Sequence, residues 1–180
     1  MRFLDRRLQD WRIIVARPWL RRGDRVLDVG CGDGALFSKL RWLGHGVGID
    51  PTASPAAGPP RIVRGSFPDD LDGDERFDTI VALAVFEHVA LGEGGQFAKG
   101  CRSHLRPGGR VVMTVPSPIV DRILHWLMRL HLVDGMEAHQ HWGLRPSDVP
   151  SIFEEHGLYL AHHRRFEFGV NHLFVFTAVD

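Results

Sequence analysis

The residues best spaced to do chemistry lie in Asp28-Val29-Gly30-Cys31-Gly32-Asp33-Gly34. An apolar run, Val26 to Val29, breaks there into a loop with glycine at every second position. Ala35, Leu36, Phe37 and Leu40 follow at the spacing of a helix face. Strand, glycine loop, helix brings a nucleotide-like ligand against bare backbone. Glycine serves such a loop by reaching left-handed turn conformations and by keeping no Cβ in the ligand's way. Asp50 closes the next apolar run, Gly46-Val47-Gly48-Ile49-Asp50. A carboxylate about twenty positions past the glycines suits a ribose diol. Two ligand classes fit. Asp28 with G-x-G-x-G describes one, and Gly30-x-Gly32-x-x-Ala35 matches a relaxed dinucleotide fingerprint.

The histidines form the second set. His88 follows the apolar run Phe77 to Leu83, and imidazole is the side chain suited to general-base work near neutrality. Its plain alternative is a histidine that caps or packs the next helix. His139 and His141 are spaced as His-x-His, a second candidate base or half of a metal site, with packing as the simpler use.

These residues need elements to hold them. Residues 3–17 show Leu4, Leu8, Trp11 and Val15 at helical spacing, and Pro18 ends that helix. It either covers one edge of the domain or forms part of a lid. Arg25 to Val29 reads as the first strand, Ala35 to Leu43 as a helix capped by Gly44, and Val47 to Ile49 as the second strand. Pro51, Pro55, Pro59 and Pro60 leave no room for a crossover helix, so an irregular loop leads to a third strand, Arg61 to Arg64. Phe77 to Leu83 is a nearly continuous apolar run, as a central parallel strand requires. A helix over about 93–105 and the turn Pro107-Gly108-Gly109 lead into a fifth strand, Arg110 to Val115. Ser117-Pro118 then opens a helix carrying Ile119, Val120, Ile123, Leu124, Trp126, Leu127, Leu130 and Leu132. That apolar arc is broader than a surface crossover needs, which suits packing under the first helix, a lid, or a homodimer contact. A helix over Pro146 to Glu155 precedes two strands, Leu158 to Phe168 and His172 to Val179. Their short connection forces antiparallel pairing.

The 180 residues suit one domain, with 1–22 as an N-terminal helix and 116–145 as a helical insertion or lid. Formal charge is zero, so no global basic excess points to nucleic acid. The charge is uneven: eight Arg fall within residues 1–25 and eight acids within 65–94. Two solvated faces explain this; an anionic substrate or membrane surface meeting the basic helix is the weaker alternative. Two cysteines make no disulfide framework. The charged start excludes a secretory leader, no apolar run reaches bilayer length, and the expected setting is cytoplasmic.

In this order the motifs resemble the class I S-adenosylmethionine-dependent methyltransferases of small-molecule type. Asp28 to Gly34 resembles motif I. Phe77-Asp78-Thr79-Ile80-Val81 with Phe86-Glu87-His88-Val89 resembles the fourth-strand motif, and Leu105-Arg106-Pro107-Gly108-Gly109-Arg110-Val111 the turn into strand five. Trp142 to Pro146 and Phe153 to Leu158 resemble the region around the last helix. The resemblance runs from Asp24 on. It implies an α/β fold, a Rossmann-like doubly wound sheet, mostly parallel, with a C-terminal antiparallel hairpin whose last strand inserts between strands five and six. It implies S-adenosylmethionine as cofactor, S-adenosylhomocysteine as product, and a small-molecule methyl acceptor, with oxygen as the favoured atom. Cofactor contacts carry over to Asp28, Gly30, Cys31, Gly32, Gly34, Asp50, Ser66, Phe67 and Leu83. Ser66 stands where the family usually has an acid toward adenine. Catalytic candidates are His88, whose family position faces the substrate, and His141. Ubiquinone-pathway O-methyltransferases carry Glu-x-x-Glu-His and bind a divalent metal there; Ala84 replaces the first Glu, so no metal is implied. A catalytically degenerate binding protein and an NAD-type oxidoreductase are the alternatives, the second opposed by the terminal hairpin.

Overall fold

The computed structural model describes residues 3–90, 92–117 and 145–179. One sheet of seven strands organises them: β1 (Val26–Val29), β2 (Val47–Asp50), β3 (Arg61–Arg64), β4 (Phe77–Leu83), β5 (Leu105–Pro116), β6 (Leu158–Phe166) and β7 (Asn171–Ala178). Their order is β3-β2-β1-β4-β5-β7-β6. β7 runs antiparallel to both neighbours, and every other pairing is parallel. The expected inserted last strand is therefore present.

Alternation along the strands sorts side chains between two layers. Leu27, Ile80, Ala82, Val111, Met113, Phe174 and Phe176 face α3 (Gly94–His104) and α4 (Val149–Glu154). Phe153 of α4 stacks on Phe176 at 4.5 Å between centroids. On the other face, Val26 and Val81 meet α2 (Ala35–Lys39) and Ile13 of α1 (Phe3–Ala16). Val15 and Ala16 of α1 continue across Val112, Leu173 and Val175. Asp28 has the parity of Val26, which puts it on the α1 side.

Four expectations change in detail, the first at β5, which begins at Leu105 and takes in the expected turn Pro107-Gly108-Gly109 as an irregularity of its pairing with β4. α2 ends at Lys39, because Leu40 leaves the helical region (φ −110°, ψ 64°), and a 3-10 turn, Arg41–Leu43, follows. Gly44 is right-handed, so it is not a left-handed cap. The β6–β7 connection is a 3-10 turn, Glu167–Gly169, two residues earlier than the sequence suggests. The proline-rich connection holds no helix, only an isolated bridge between Ala56 and Ile62. The expected helix over 119–132 and the His139/His141 loop lie outside the described residues.

β1 and β4 are neighbours whose onward connections run to opposite sides of the sheet. Ligands of open α/β sheets bind beyond the strand C-termini at such a point.

Candidate functional site

Gly30 leaves β1 with φ +70°. Its N–H donates to the Ile49 carbonyl at 2.8 Å, and Cys31 N–H to the same oxygen at 3.3 Å, stitching the loop to the end of β2. A Cβ on Gly30 would stand 2.4 Å from Val85 Cγ2. Glycine is needed there because the exit from β4 crosses it. Gly32 differs: its φ is +50°, and a Cβ would meet no atom within 4 Å, as also at Gly34. The backbone there borders open space. Cys31 turns inward over Gly48, where its sulfur would lie 2.7 Å from an added Cβ. Burial, then the charges of Asp28 and Asp50, push its thiol up to about 12, so it remains protonated.

The two aspartates have opposite environments. Asp50 Oδ2 accepts from Gly32 N–H at 3.1 Å, and Oδ1 accepts from Thr52 N–H at 2.7 Å and Thr52 Oγ1 at 2.6 Å. Burial pushes this carboxyl up, but the Thr52 and Gly32 hydrogen bonds outweigh it and hold Asp50 below the usual range. It stays ionised, and a carboxylate's roughly four lone-pair sites leave it acceptor capacity. Asp28 is only 5% exposed. Burial, reinforced by the Asp50 charge, pushes it up to about 8.

Two clefts meet at Gly30. The larger, about 310 Å³, lies on the α3 side and is lined by Val29, Ser66, Phe67, Asp69, Val85, His88, Gln96 and Phe97. Phe67 is held edge-on against Phe97 at 5.2 Å. The smaller, about 220 Å³, lies under α1 and is lined by Gln9, Arg12, Ile13, Asp28, Cys31, Leu83 and Ala84. Ala84 adopts φ +57° there. Its N–H donates to buried Thr114, to the carbonyl at 3.1 Å and to Oγ1 at 3.0 Å. A left-handed alanine costs about 1–3 kcal/mol and persists because such contacts over-determine it.

The sequence candidates are thus divided. Asp28, Cys31 and Leu83 border the smaller cleft, Ser66, Phe67 and His88 the larger, and Gly30 both. Gly32 and Gly34 line a third cavity, of about 390 Å³, with Thr52. His88 is exposed, on the opposite side of Gly30 from Asp28. His141 lies outside the described residues.

Four lining or bracing residues escaped the sequence reading: Arg12, Thr52, Asp69 and Gln96. Asp69 is an acid that follows β3 and lines the larger cleft together with Ser66. Its neighbour Asp70 takes the turn, accepting Ser66 N–H at 2.8 Å. That leaves Asp69 on the cleft, with Gln96 Nε2 donating to it at 3.4 Å. Arg12 carried one overlooked signal, a charge at i+4 from Leu8 on the inward side of α1.

The family model described as "Methyltransferase domain" matches residues 1–163. The chain belongs to the class I S-adenosylmethionine-dependent methyltransferases. This methyltransferase is 32% identical over 158 residues to a ubiquinone biosynthesis O-methyltransferase of Nitrobacter winogradskyi, covering 76% of the chain and 57% of the relative. It is 37% identical over 102 residues to the same-named protein of Bradyrhizobium diazoefficiens, covering 51% and 40%. It spans about half the length of these curated relatives. Among solved structures, the 1,6-didemethyltoxoflavin-N1-methyltransferase of Burkholderia thailandensis, with 1,6-didemethyltoxoflavin and S-adenosylhomocysteine bound, superposes with TM-score 0.70. That match covers 96% of this methyltransferase and 79% of the other at 18% identity, a likeness of fold. Among the described residues, no helix of the methyltransferase is long and apolar enough to cross a membrane.

Proposed function

We propose that the chain binds S-adenosylmethionine across the two clefts and transfers its methyl group to a small-molecule acceptor at oxygen. The observation that carries this is the junction at Gly30: an adenosine-sized cleft on one side, a polar cleft with Asp28 and Arg12 on the other, and ionised Asp50 braced alongside. Asp50 would accept from both ribose hydroxyls. Asp69 would accept from the adenine amine, beside Phe67. Asp28 would meet the ammonium of the methionine end. Arg12, whose Nε is buried without a hydrogen-bond partner, would meet the carboxylate. Burial of such a donor is unfavourable unless something completes it, so the residues fit a zwitterionic amino-acid group.

Bound S-adenosylmethionine supplies an electrophilic methyl group. The chain's part is to fix that end, to exclude water with α1, and to remove a proton from the acceptor. His88 is proposed for that proton, on the rim of the larger cleft. The names of the ubiquinone biosynthesis relatives favour oxygen as the acceptor atom.

Calorimetric titration with S-adenosylmethionine and S-adenosylhomocysteine, with NADH as control, tests the reading. Both sulfur compounds should bind, NADH should not, and Asp50→Ala should weaken binding by at least about tenfold, the effect of losing a charge-assisted bidentate contact. No binding by the folded protein, or binding unchanged in Asp50→Ala, overturns it.

A further inference from the structure

Beneath α1, at the C-terminal end of the sheet, three polar side chains form a cluster that the methyl-transfer reading leaves unused. Asn171 Nδ2 donates to Glu167 Oε2, and both residues are buried, 3% and 4% exposed. Arg12 acts electrostatically on Glu167. Arg12 Nε, Glu167 Oε1 and Asn171 Oδ1 are each buried without a hydrogen-bond partner. A donor on α1 and two acceptors at the start of β7 and the turn before it are thus each left with an open valence.

The backbone is arranged to bring Glu167 there. Glu167 and Phe168 both adopt left-handed conformations, φ +49° and +56°, unusual for non-glycine residues. The turn sends Glu167 under α1 and leaves Phe168 outside, 99% exposed. The Phe168 ring meets Trp11 edge-on at 6.3 Å. The β6–β7 turn therefore meets α1 at Trp11, and Arg12, the next residue along the helix, lines the cleft beneath it. Alternation along β7 supplies Asn171 on the same face as Leu173 and Val175, which pack against α1.

We propose that Glu167, seated by Asn171, is a positioning residue that aims the Arg12 guanidinium at the carboxylate of the cofactor's amino-acid end. The inference rests on the cofactor reading above. A guanidinium offers five donors in a planar fork. With one edge oriented by a buried anion, the remaining donors are presented together to a ligand carboxylate, in the bidentate geometry that suits it. Without Glu167, Arg12 keeps its charge but not its direction. Glu167 lines neither cleft, so it works through Arg12.

The test compares S-adenosylhomocysteine with 5′-methylthioadenosine, which lacks the amino-acid end. Binding of both is measured by calorimetry on wild type, Arg12→Ala, Glu167→Gln and the double variant, each checked for folding by circular dichroism. Glu167→Gln should weaken S-adenosylhomocysteine about tenfold, leave methylthioadenosine unchanged, and add nothing in the Arg12→Ala background. Should Glu167→Gln not fold, Asn171→Ala makes the same comparison. Equal weakening of both ligands marks a structural role and overturns the proposal, as does unchanged S-adenosylhomocysteine binding. If neither ligand binds wild type, the cofactor reading fails first.

Discussion

At the scale of single residues, the chemistry of the site lies in the contrast between two aspartates the sequence already paired. Asp50 and Asp28 were legible because strand ends and alternating glycines fix them by spacing. Arg12 and Asp69 were not. A charge on a helix face declares its direction only when the helix is docked, and neighbouring acids are told apart only by the turn that spends Asp70 on Ser66 N–H. Asp28 has a consequence for stability. Its carboxyl titrates near 8 when folded, against 3.8 as the ordinary value, raised by burial and then by Asp50. Between those values the folded chain holds a proton that the unfolded chain has released. Stability therefore falls as pH rises from about 4 to about 8, by on the order of a few kcal/mol. Thermal melts of unliganded protein should show Tm declining between pH 5 and pH 8. Asp28→Asn, which cannot ionise, should flatten that decline; an unchanged slope would place the buried proton elsewhere.

Secondary-structure elements were legible where one physical demand dominates. β3 and β4 match end to end, because four prolines exclude a helix before the first and burial on both faces writes the second as an apolar run. α2 fell short of its expected length because Leu40 abandons helical geometry. α1 was found, and Val15 of its expected stripe is buried, but the stripe was wrong at Trp11. Trp11 belonged to the expected apolar stripe, yet it is 40% exposed, while Ile13 is 3% exposed and lines the smaller cleft. Apolar residues on both sides of the helix made the phase ambiguous, and docking on Val26, Val81 and Val112 decided it. Adjacent isoleucines now make a test. Ile13→Ala should lower stability by about 2–4 kcal/mol, the usual result of emptying a core site. Ile14→Ala, at a position 65% exposed, should change it by less than about 0.5 kcal/mol. Ile13→Ala should also weaken S-adenosylhomocysteine, since it loosens the roof over Asp28. Denaturant melts and calorimetry on the two variants read both effects; equal effects would mean α1 packs in a different phase.

Across the whole molecule, strand direction was legible from two facts, and the insertion of the last strand beside β5 from the family resemblance. Parallel strand–helix alternation builds β1 to β5, and a four-residue connection forces β6 and β7 antiparallel. The position of the clefts was less legible, since it follows from where connections diverge, and no local pattern records that. Every proposed cofactor contact lies at one end of the sheet, at the exits of β1, β2, β3 and β4 and along α1. At the opposite end, Arg25 and Arg61 pair with Glu75, and Arg106 with Asp78 at 2.8 Å, a set of ion pairs distant from the clefts. Hydrogen exchange can read this polarity directly. Saturating S-adenosylhomocysteine, at about a hundredfold over its Kd, adds roughly 2.7 kcal/mol to global stability, slowing exchange limited by full unfolding everywhere. Locally opening amides respond only where the ligand touches. Residues 30–34, 50–53, 65–69 and α1 should therefore slow beyond the global effect, while residues 106–109 at the start of β5 should not. Methylthioadenosine should give the same footprint without α1, because α1 covers only the cleft proposed for the amino-acid end. A footprint that included α1 with both ligands would instead mean that adenosine alone closes the helix over the site.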